Sequence, residues 1–460
     1  MKKNNFKKDI FIKKISKRTF LIALVLFFTI ININYSYSTT ANDDNSYGNV
    51  NNIINNIIND NNSNNSNSIS LSATSSILID KNTSKILYEN NSNQKMYPAS
   101  TTKLLTAILI TEKYKDLSLP VNISYYAVEA VPYSYSTANL EPDDSVSLKD
   151  LLDALLIASA NDAAYSLAEY MANDGNNFST DSSEDSKNRF YESISKFSDL
   201  MNAKAKELGC QNSNFVNPNG IHDENHYSTA YDLALIGSYA YNNSTIQSIV
   251  SKTSFSFNGT SFNTTNLLLH KERNTYYKYA NGLKTGYTDP AQYCMIASAK
   301  KDDRVLIAVV LHSEENLREK DLKKLFEYGF NEYTYADLIK ENEIVRSIYV
   351  INATPKTNKL NAICETNLKA LIKKGEVIDI TPTIELQNHF APISQGEIIG
   401  KITYEVDGIT YSSNLIADHD VYSSNYMNII ILISSIFIML LISFLIINKK
   451  TRIKPKATNK

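Results

Sequence analysis

The sequence predicts a mixed α/β protein of the α+β kind, in which an antiparallel sheet packs with helices and a small β domain follows. Three observations predict this fold class. Pairs of short strand-like segments are joined by turn-prone residues, which favours antiparallel pairing. Several longer segments carry apolar residues at helical spacing. Beyond residue 340, short alternating strands are separated by glycines and prolines, as is typical of small β domains.

The N-terminus is typical of a secretory signal peptide. Residues 1–18 are strongly basic, residues 20–31 are almost wholly apolar, and small residues then appear at Ser36 and Ser38. We therefore expect residues 1–38 to be a signal peptide that is cleaved after Ser38, with an uncleaved anchor helix as the alternative. Residues 39–70 are rich in Asn and Ser and cannot bury enough apolar surface to fold, so they predict a disordered linker.

The main domain, which we expect to cover residues 71–335, opens with a hairpin and a helix. Residues 76–80 and 85–89 have the composition of strands, and the turn-prone residues 81–84 between them favour antiparallel pairing. Pro98 has the fixed φ suited to a helix start, and a run rich in Leu and Ile follows it.

The later elements of the main domain are predicted on the same grounds. Apolar spacing indicates the helices, and Gly209 is typical of a helix C-terminus. Helices are expected at 148–159, 162–171, 190–208, 228–240 and 320–330, strands at 292–299 and 304–312, and irregular polar segments at 111–147 and 173–187.

Two segments follow the main domain. Residues 340–418 predict the small antiparallel β domain, which holds no cluster of titratable residues and is interpreted as a spacer. Residues 429–447 carry no charge and, at about 1.5 Å per residue, nearly match a bilayer core of about 30 Å. Basic residues dominate 448–460, so a transmembrane helix with a cytoplasmic tail and an extracytoplasmic main domain is predicted, a buried core helix being the alternative.

Charge and cysteine content argue against several classes of protein. A formal net charge of −2 and a pI near 6.3 give no reason to expect a nucleic-acid partner. Three widely spaced cysteines do not form a disulfide framework. His and Cys residues are nowhere clustered at metal-ligand spacing, so we expect neither a metal nor another cofactor.

A serine and a lysine lie one turn apart at the start of the first predicted helix. Ser100 would lie in the first turn, and Lys103 three residues later on the same face. A hydroxyl at this place lies in a positive dipole field, and a neighbouring amine can take its proton. By itself the pair is explained equally well by a helix cap beside a solvated charge. The same Ser-x-x-Lys spacing recurs at Ser92/Lys95, Ser193/Lys196 and Ser298/Lys301, so the spacing alone does not identify a nucleophile.

Two further motifs single out this serine. Ser159-x-Asn161 lies at the junction of two predicted helices, where a simple helix cap is the alternative, and Lys284-Thr-Gly286 lies further on. The three sets, in this order, resemble the motifs of serine enzymes that recognise penicillin. Their flanks extend the resemblance to the D-alanyl-D-alanine carboxypeptidase family (low-molecular-mass penicillin-binding proteins, peptidase family S11). The flanks are Pro98-Ala-Ser-Thr-Thr-Lys103, Asn161-Asp-Ala-Ala164, Glu224-Asn-His-Tyr-Ser-Thr-Ala230 and Gly282-Leu-Lys-Thr-Gly-Tyr-Thr288.

The resemblance implies a penicillin-binding or serine β-lactamase-like transpeptidase fold and a role for each motif residue. It makes Ser100 the nucleophile and Lys103 the general base, which requires a lowered pKa at Lys103. It makes Ser159 a proton relay to the leaving D-alanine, and Asn161 a holder of either Lys103 or the substrate amide.

The third motif is implied to bind substrate. Lys284 and Thr285 would bind the terminal carboxylate, and Gly286 would let the substrate backbone lie close to its strand. The backbone N–H groups of Ser100 and Tyr287 would form the oxyanion hole. Arg318 resembles a family arginine near the last helix of the domain, although a surface role fits its sequence context equally well.

The resemblance also implies the substrate and the partners. The expected reaction is removal of the terminal D-alanine from peptidoglycan pentapeptide stems during cell-wall synthesis and remodelling. β-Lactams would act as covalent inhibitors, and the C-terminal helix would bind the membrane. The alternatives are a serine β-lactamase, which shares the three motifs, and a catalytically silent penicillin-binding scaffold.

Overall fold

The computed structural model describes residues 69–176, 181–376, 380–387, 390–424 and 426–452. The expected signal peptide, nearly all of the expected linker and most of the basic tail lie outside the described residues.

Helices and strands follow one another through both expected domains. The described helices are α1 (Lys103–Lys113), α2 (Tyr125–Glu129), α3 (Leu148–Asp153), α4 (Asn161–Ala172), α5 (Glu184–Glu207), α6 (Ala230–Tyr241), α7 (Ser244–Val250), α8 (Arg318–Glu332) and α9 (Tyr426–Arg452). The described strands are β1 (Ser75–Asp80), β2 (Ile86–Asn90), β3 (Pro120–Asn122), β4 (Ser145–Ser147), β5 (Ser254–Phe257), β6 (Thr260–Asn263), β7 (Ala280–Thr288), β8 (Gln292–Lys301), β9 (Arg304–Ser313), β10 (Tyr333–Ile339), β11 (Ile344–Tyr349), β12 (Lys359–Cys364), β13 (Leu368–Lys373), β14 (Thr383–Leu386), β15 (Ile398–Val406) and β16 (Ile409–Ala417).

A five-stranded antiparallel sheet in the order β2-β1-β9-β8-β7 forms the centre of the main domain. The expected hairpin of β1 and β2 and the expected pair of β8 and β9 are both present and antiparallel. Strand β1 pairs with β9, with Ser75 opposite Leu311 and Asp80 opposite Leu306, so the sheet joins the two ends of the domain. Strand β7, which carries the Lys-Thr-Gly motif, forms one edge of the sheet.

Helices cover both faces of this sheet. Ile307 of β9 belongs to the larger apolar core on the side of α6, whereas its neighbour Leu306 belongs to a second core on the side of α8. Because successive side chains of a strand point to opposite faces, central strands buried on both sides are apolar throughout. Gly237 lets α6 approach closely, since a Cβ atom there would lie 2.6 Å from Cγ2 of Ile296.

Several predicted boundaries were wrong. The segment 111–147, predicted to be irregular, contains the hairpin of β3 and β4 and the short helix α2. Helix α5 begins at Glu184 within the predicted loop 173–187, because the side chain of Ser183 accepts the backbone N–H of Ser186 and caps the helix. Helix α7 and the hairpin of β5 and β6 were not predicted.

The region after the main domain contains the expected antiparallel β structure. Five strands pair in the order β11-β12-β16-β15-β14, and β10 pairs with β13. The region has its own apolar core, which includes Leu360 and Leu415. It also contacts the main domain, because Nζ of Lys85 donates to the carbonyl of Leu371 at 3.1 Å and lies 2.5 Å from a carboxylate oxygen of Asp407.

Within the described residues, one helix is long and apolar enough to cross a membrane. The segment Ile429–Ile446 of α9 has a mean hydropathy of 3.1 and none of it is buried within the protein. Its length and composition fit a membrane anchor.

Candidate active site

The three motifs meet at an open cleft of about 550 Å³. The start of α1, the junction before α4 and the edge strand β7 each contribute to its walls. The residues that line it are Ser100, Ser134, Tyr135, Ser136, Ser159, Asn161, Thr265, Thr285, Gly286, Tyr287, Thr288, Asp289 and Arg318.

Ser100 lies on a short 3-10 turn, Ala99–Thr102, that leads into α1. Two glycines let neighbouring segments close on this turn. A Cβ atom on Gly220, which has φ +79°, would lie 1.9 Å from the carbonyl oxygen of Ala99. A Cβ atom on Gly286 would lie 2.9 Å from the backbone nitrogen of Ser100. The absence of a side chain at Gly286 therefore makes room for the turn that carries Ser100. This is a second reason for a glycine here, besides the close approach of substrate that the resemblance implies.

Lys103 is fully buried behind Ser100, and its amine has three neighbours. Its Nζ atom lies 2.9 Å from Ser100 Oγ, 2.9 Å from Asn161 Oδ1 and 2.7 Å from the carbonyl oxygen of Asn219. The Asn161 amide orientation is set by its Nδ2 atom, which donates to the carbonyl of Ser136 at 2.9 Å. A neutral amine has two N–H bonds and one lone pair. The two oxygens that can only accept take the protons, so the lone pair is left for the Ser100 hydroxyl.

The surroundings of Lys103 disfavour its charged form. Burial first, and then the positive charge of Lys284, lower the pKa of Lys103 well below its usual value, while Asp162 opposes the shift. Asp162 is itself buried and accepts backbone N–H groups of Ala138 and Leu140, so its negative charge is largely engaged elsewhere. Lys103 can therefore be neutral, and act as a base, at a pH where an exposed lysine is charged.

Lys284 is also buried, with 1% of its surface exposed, and it contacts the second motif. Its Nζ atom donates to Ser159 Oγ at 3.0 Å and to the carbonyl of Thr285 at 2.9 Å. Burial and the neighbouring charge of Arg318 lower the pKa of Lys284 to about 7. Arg318 lines the cleft and is largely buried, so it is not a simple surface residue.

Ser159 reaches the cleft because the chain departs from α-helical geometry just before it. Helix α3 continues into a π-helical turn, Ala154–Ala158, and Ser159 follows with φ +62°. A serine in the left-handed region is uncommon and is strained unless its surroundings hold it. Here the hydroxyl of Ser136 donates to the carbonyl of Ser159 at 3.0 Å and helps to hold this conformation.

The structure brings together all eight residues that the motifs predict. Six line the cleft, and the two lysines lie directly behind its walls. Sequence reasoning missed Ser136 and Thr265, and it missed the carbonyl of Asn219 because side-chain motifs do not reveal main-chain acceptors. Asn219 does lie in the Asn-Pro-Asn-Gly turn, whose turn signal marks an unusual backbone.

His226 supports the serine turn from the side away from the cleft. It is buried, its Nδ1 atom accepts the N–H of Val216 at 3.2 Å, and its Nε2 atom lies 2.9 Å from Thr102 Oγ1. Burial lowers the pKa of His226 to about 3, so the ring is neutral and Nε2 donates to Thr102. These contacts give this histidine a structural role.

Comparison with known proteins shows which family the chain belongs to. Residues 61–182 and 191–315 match the sequence model of peptidase family S11, described as D-alanyl-D-alanine carboxypeptidase. The chain belongs to this family. It is a serine-type carboxypeptidase hydrolase. Residues 333–423 match the C-terminal domain of penicillin-binding protein 5.

Individual relatives cover most of the chain. The D-alanyl-D-alanine carboxypeptidase DacF of Bacillus subtilis is 32% identical over 352 residues, which are 75% of this chain and 84% of DacF. DacA of Escherichia coli is 28% identical over 374 residues, which are 78% of this chain and 86% of DacA.

Solved structures confirm the penicillin-binding fold. Penicillin-binding protein 5 of Haemophilus influenzae superposes with a TM-score of 0.61 at 28% identity, covering 78% of this chain and 100% of that chain. PBP3 of Streptococcus pneumoniae, at 24% identity, shares the fold with a TM-score of 0.63, covering 77% of this chain and 100% of that chain.

The packing around the serine turn predicts a large effect of Gly220→Ala. The new Cβ atom would overlap the carbonyl of Ala99, so the turn must shift. This shift would increase the distance between Ser100 Oγ and Lys103 Nζ. We expect slower acylation by penicillin. We also expect the free energy of unfolding to fall by about 2 kcal/mol more than it does in a control variant. Gly408→Ala is the matched control, since Gly408 has φ +75° and no atom within 4 Å of its Cβ position. Equal losses in the two variants would contradict the proposed packing.

The lysine pair predicts how stability depends on pH. In the unfolded chain both lysines keep their protons up to about pH 10.4. In the folded protein Lys284 loses its proton near pH 7, so the unfolded state binds more protons above that pH and stability rises with pH. Between pH 7.5 and 9.5, Lys284→Met should reduce this rise by about 1 kcal/mol per pH unit, measured by urea unfolding. Lys196→Met removes an exposed lysine of α5 and is the matched control. If Lys284→Met retains the wild-type slope, Lys284 is not deprotonated in this range.

Proposed function

We propose that this enzyme removes the terminal D-alanine from peptidoglycan pentapeptide stems through an acyl-enzyme on Ser100. The observation that carries the proposal is the buried amine of Lys103, with both proton positions engaged and its lone pair left for Ser100 Oγ at 2.9 Å. A serine hydroxyl is a poor nucleophile until a base takes its proton. This arrangement supplies that base without a histidine.

In the proposed acylation step, Lys103 takes the proton of Ser100 while Oγ attacks the carbonyl carbon of the penultimate D-alanine. The backbone N–H groups of Ser100 and Tyr287 stabilise the resulting oxyanion, an effect worth about 3–4 kcal/mol for each donor in other enzymes. Ser159 passes a proton to the leaving nitrogen and recovers one from Lys103, the C–N bond breaks, and D-alanine departs, which leaves Lys103 neutral again. Water then attacks the ester carbonyl and gives a proton to Lys103, which passes it to Ser100 Oγ as the ester C–O bond breaks and the shortened peptide leaves with a free carboxyl group.

The hydrogen bonds of Ser159 and Asn161 support these roles. The contact of Ser159 with Lys284, at 3.0 Å, connects its hydroxyl to an amine whose pKa is about 7, which suits proton transfer near neutral pH. Asn161 donates to Ser136 and accepts from Lys103, so its amide is oriented to hold the base. Of its two sequence-derived roles, positioning Lys103 is the one we propose.

Substrate recognition is proposed to use the opposite wall of the cleft. Thr285 and Arg318 line the cleft and would bind the terminal carboxylate directly, while Lys284, buried behind the wall, adds positive charge. A bound carboxylate raises the pKa of Lys284 and so favours its charged form. The edge strand β7 offers backbone groups to an extended peptide, which is a common mode of peptide binding.

The cellular setting belongs to the same proposal. A signal peptide at residues 1–38 directs export, the main domain at 71–335 catalyses the reaction, and the β domain at 340–418 acts as a spacer. Helix α9 anchors the chain, leaving the cleft on the outer side of the membrane, where cell-wall remodelling takes place. β-Lactams, whose ring carbonyl imitates the scissile amide, acylate Ser100 and inhibit the enzyme.

Covalent labelling tests the nucleophile. A fluorescent penicillin should label the wild-type chain at a single site, and Ser100→Ala should abolish the label because the attacking oxygen is absent. Lys103→Met should slow labelling at least about 100-fold, in line with the loss of a general base. Both variants must keep the thermal unfolding midpoint within a few degrees of wild type. Wild-type labelling of Ser100→Ala would show that another residue is the nucleophile.

Release of D-alanine separates the three candidate activities. The purified chain should release D-alanine from a pentapeptide that ends in D-Ala-D-Ala, and penicillin pretreatment should stop the release. A scaffold would take up penicillin on Ser100 yet release no D-alanine. A β-lactamase would instead turn over penicillin rapidly without accumulating the acyl-enzyme. Either result would refute the proposed carboxypeptidase reaction.

A further inference from the structure

Three apolar side chains are strongly exposed where the β domain ends and the chain continues toward α9. Ile351, Phe390 and Tyr422 expose 52%, 59% and 60% of their surface. We refer to these three residues as the exit surface. They come from three separate segments of the chain, so their proximity is a product of the fold.

Backbone hydrogen bonds hold the three segments together. The N–H of Ala391, next to Phe390, donates to the carbonyl of Ile351 at 2.9 Å. The N–H of Thr354 donates to the carbonyl of Tyr422 at 2.9 Å. The segments therefore form one platform.

The exposed side chains point away from the domain core. Val350 and Val421, the residues immediately before Ile351 and Tyr422, are 5% and 1% exposed and belong to the core. Because side chains alternate in extended chain, their neighbours face outward. Tyr349, on the other side of Val350, is 65% exposed and adds a further aromatic ring next to the exit surface.

The position of the exit surface along the chain brings it near the apolar part of α9. Tyr426, the first residue of α9, is four positions after Tyr422, so their Cα atoms are at most about 14 Å apart. The apolar segment begins three residues later at Ile429. If α9 spans a bilayer, Tyr422 lies within reach of the headgroup layer on that side.

The chemistry of the exit surface suits this layer. Tyrosine and phenylalanine rings are favoured at membrane interfaces, where a ring meets hydrocarbon and a hydroxyl remains hydrated. Lys356 and Lys359 are exposed on the neighbouring turn and strand and can contact lipid phosphates. The nearby carboxylate of Asp420 accepts the N–H of Gln395 at 2.8 Å and the hydroxyl of Tyr422 at 3.4 Å, so part of its hydrogen-bonding capacity is satisfied within the domain.

We propose that the exit surface inserts into the headgroup layer of the membrane that α9 spans, so that the β domain binds lipid directly. The inference rests on the proposed membrane anchor. Direct contact restricts how the β domain can rotate about the connection to α9. Through the contacts of Lys85 with Leu371 and Asp407, that restriction extends to the catalytic domain.

Tryptophan fluorescence tests the proposal, because the native sequence contains no tryptophan. Phe390→Trp and Tyr422→Trp would each be introduced into the full chain and reconstituted into vesicles of phosphatidylcholine and phosphatidylglycerol. We expect blue-shifted emission and at least twofold quenching when brominated phosphatidylcholine replaces the ordinary lipid. Tyr191→Trp is the matched control, since Tyr191 of α5 is 53% exposed in the catalytic domain, and its emission should not respond to brominated lipid.

The remaining outcomes contradict the proposal in distinguishable ways. If acrylamide but not brominated lipid quenches the tryptophan at position 390, as expected at position 191, the exit surface lies in water. Protection from both quenchers would indicate that a second copy or another protein covers it. If the chain fails to float with vesicles, the proposed anchor itself is wrong, and the lipid contact is wrong with it. Unaltered penicillin labelling of each variant shows that it is folded.

Discussion

The structure of the active site depends on one buried amine. Lys103 lies behind Ser100, the proposed nucleophile, and its amine contacts two oxygens that can only accept, on Asn161 and Asn219. Burial and the charge of Lys284 lower the pKa of Lys103 well below its usual value, which favours a neutral amine whose lone pair can face Ser100. Without that environment Ser100 would be an ordinary hydroxyl at the start of a helix.

The fold meets this requirement by bringing four distant segments to one place. The start of α1 supplies the serine and the lysine, and the junction before α4 supplies Ser159 and Asn161. The turn that contains Asn219 and Gly220 packs under the serine, while the edge strand β7 closes the opposite wall. Because each segment is held by buried packing and backbone hydrogen bonds, the geometry exists before any substrate binds, which favours catalysis by preorganised groups.

Elements with a strong apolar period were predicted within a few residues, as β1, β8, β9, α4 and α6 illustrate. Short elements such as α2, α7 and the hairpin of β5 and β6 were missed, because they span too few residues to show a period. The π-helical turn before Ser159 was also missed, since its geometry is imposed by tertiary packing and not by local propensity. Main-chain acceptors such as Asn219 carry no side-chain signal.

The sequence by itself determined the order and identity of the motif residues, the apolar helix near the C-terminus and, through resemblance, the enzyme family. It did not distinguish Ser100 and Lys103 physically from pairs with the same spacing. In the structure, the side chain of Lys196, from one such pair, is 56% exposed and forms a salt bridge with Glu192, whereas Lys103 is fully buried. That difference was decided by tertiary structure alone, because the pKa of an amine depends on its loss of water and on charges that only folding brings near.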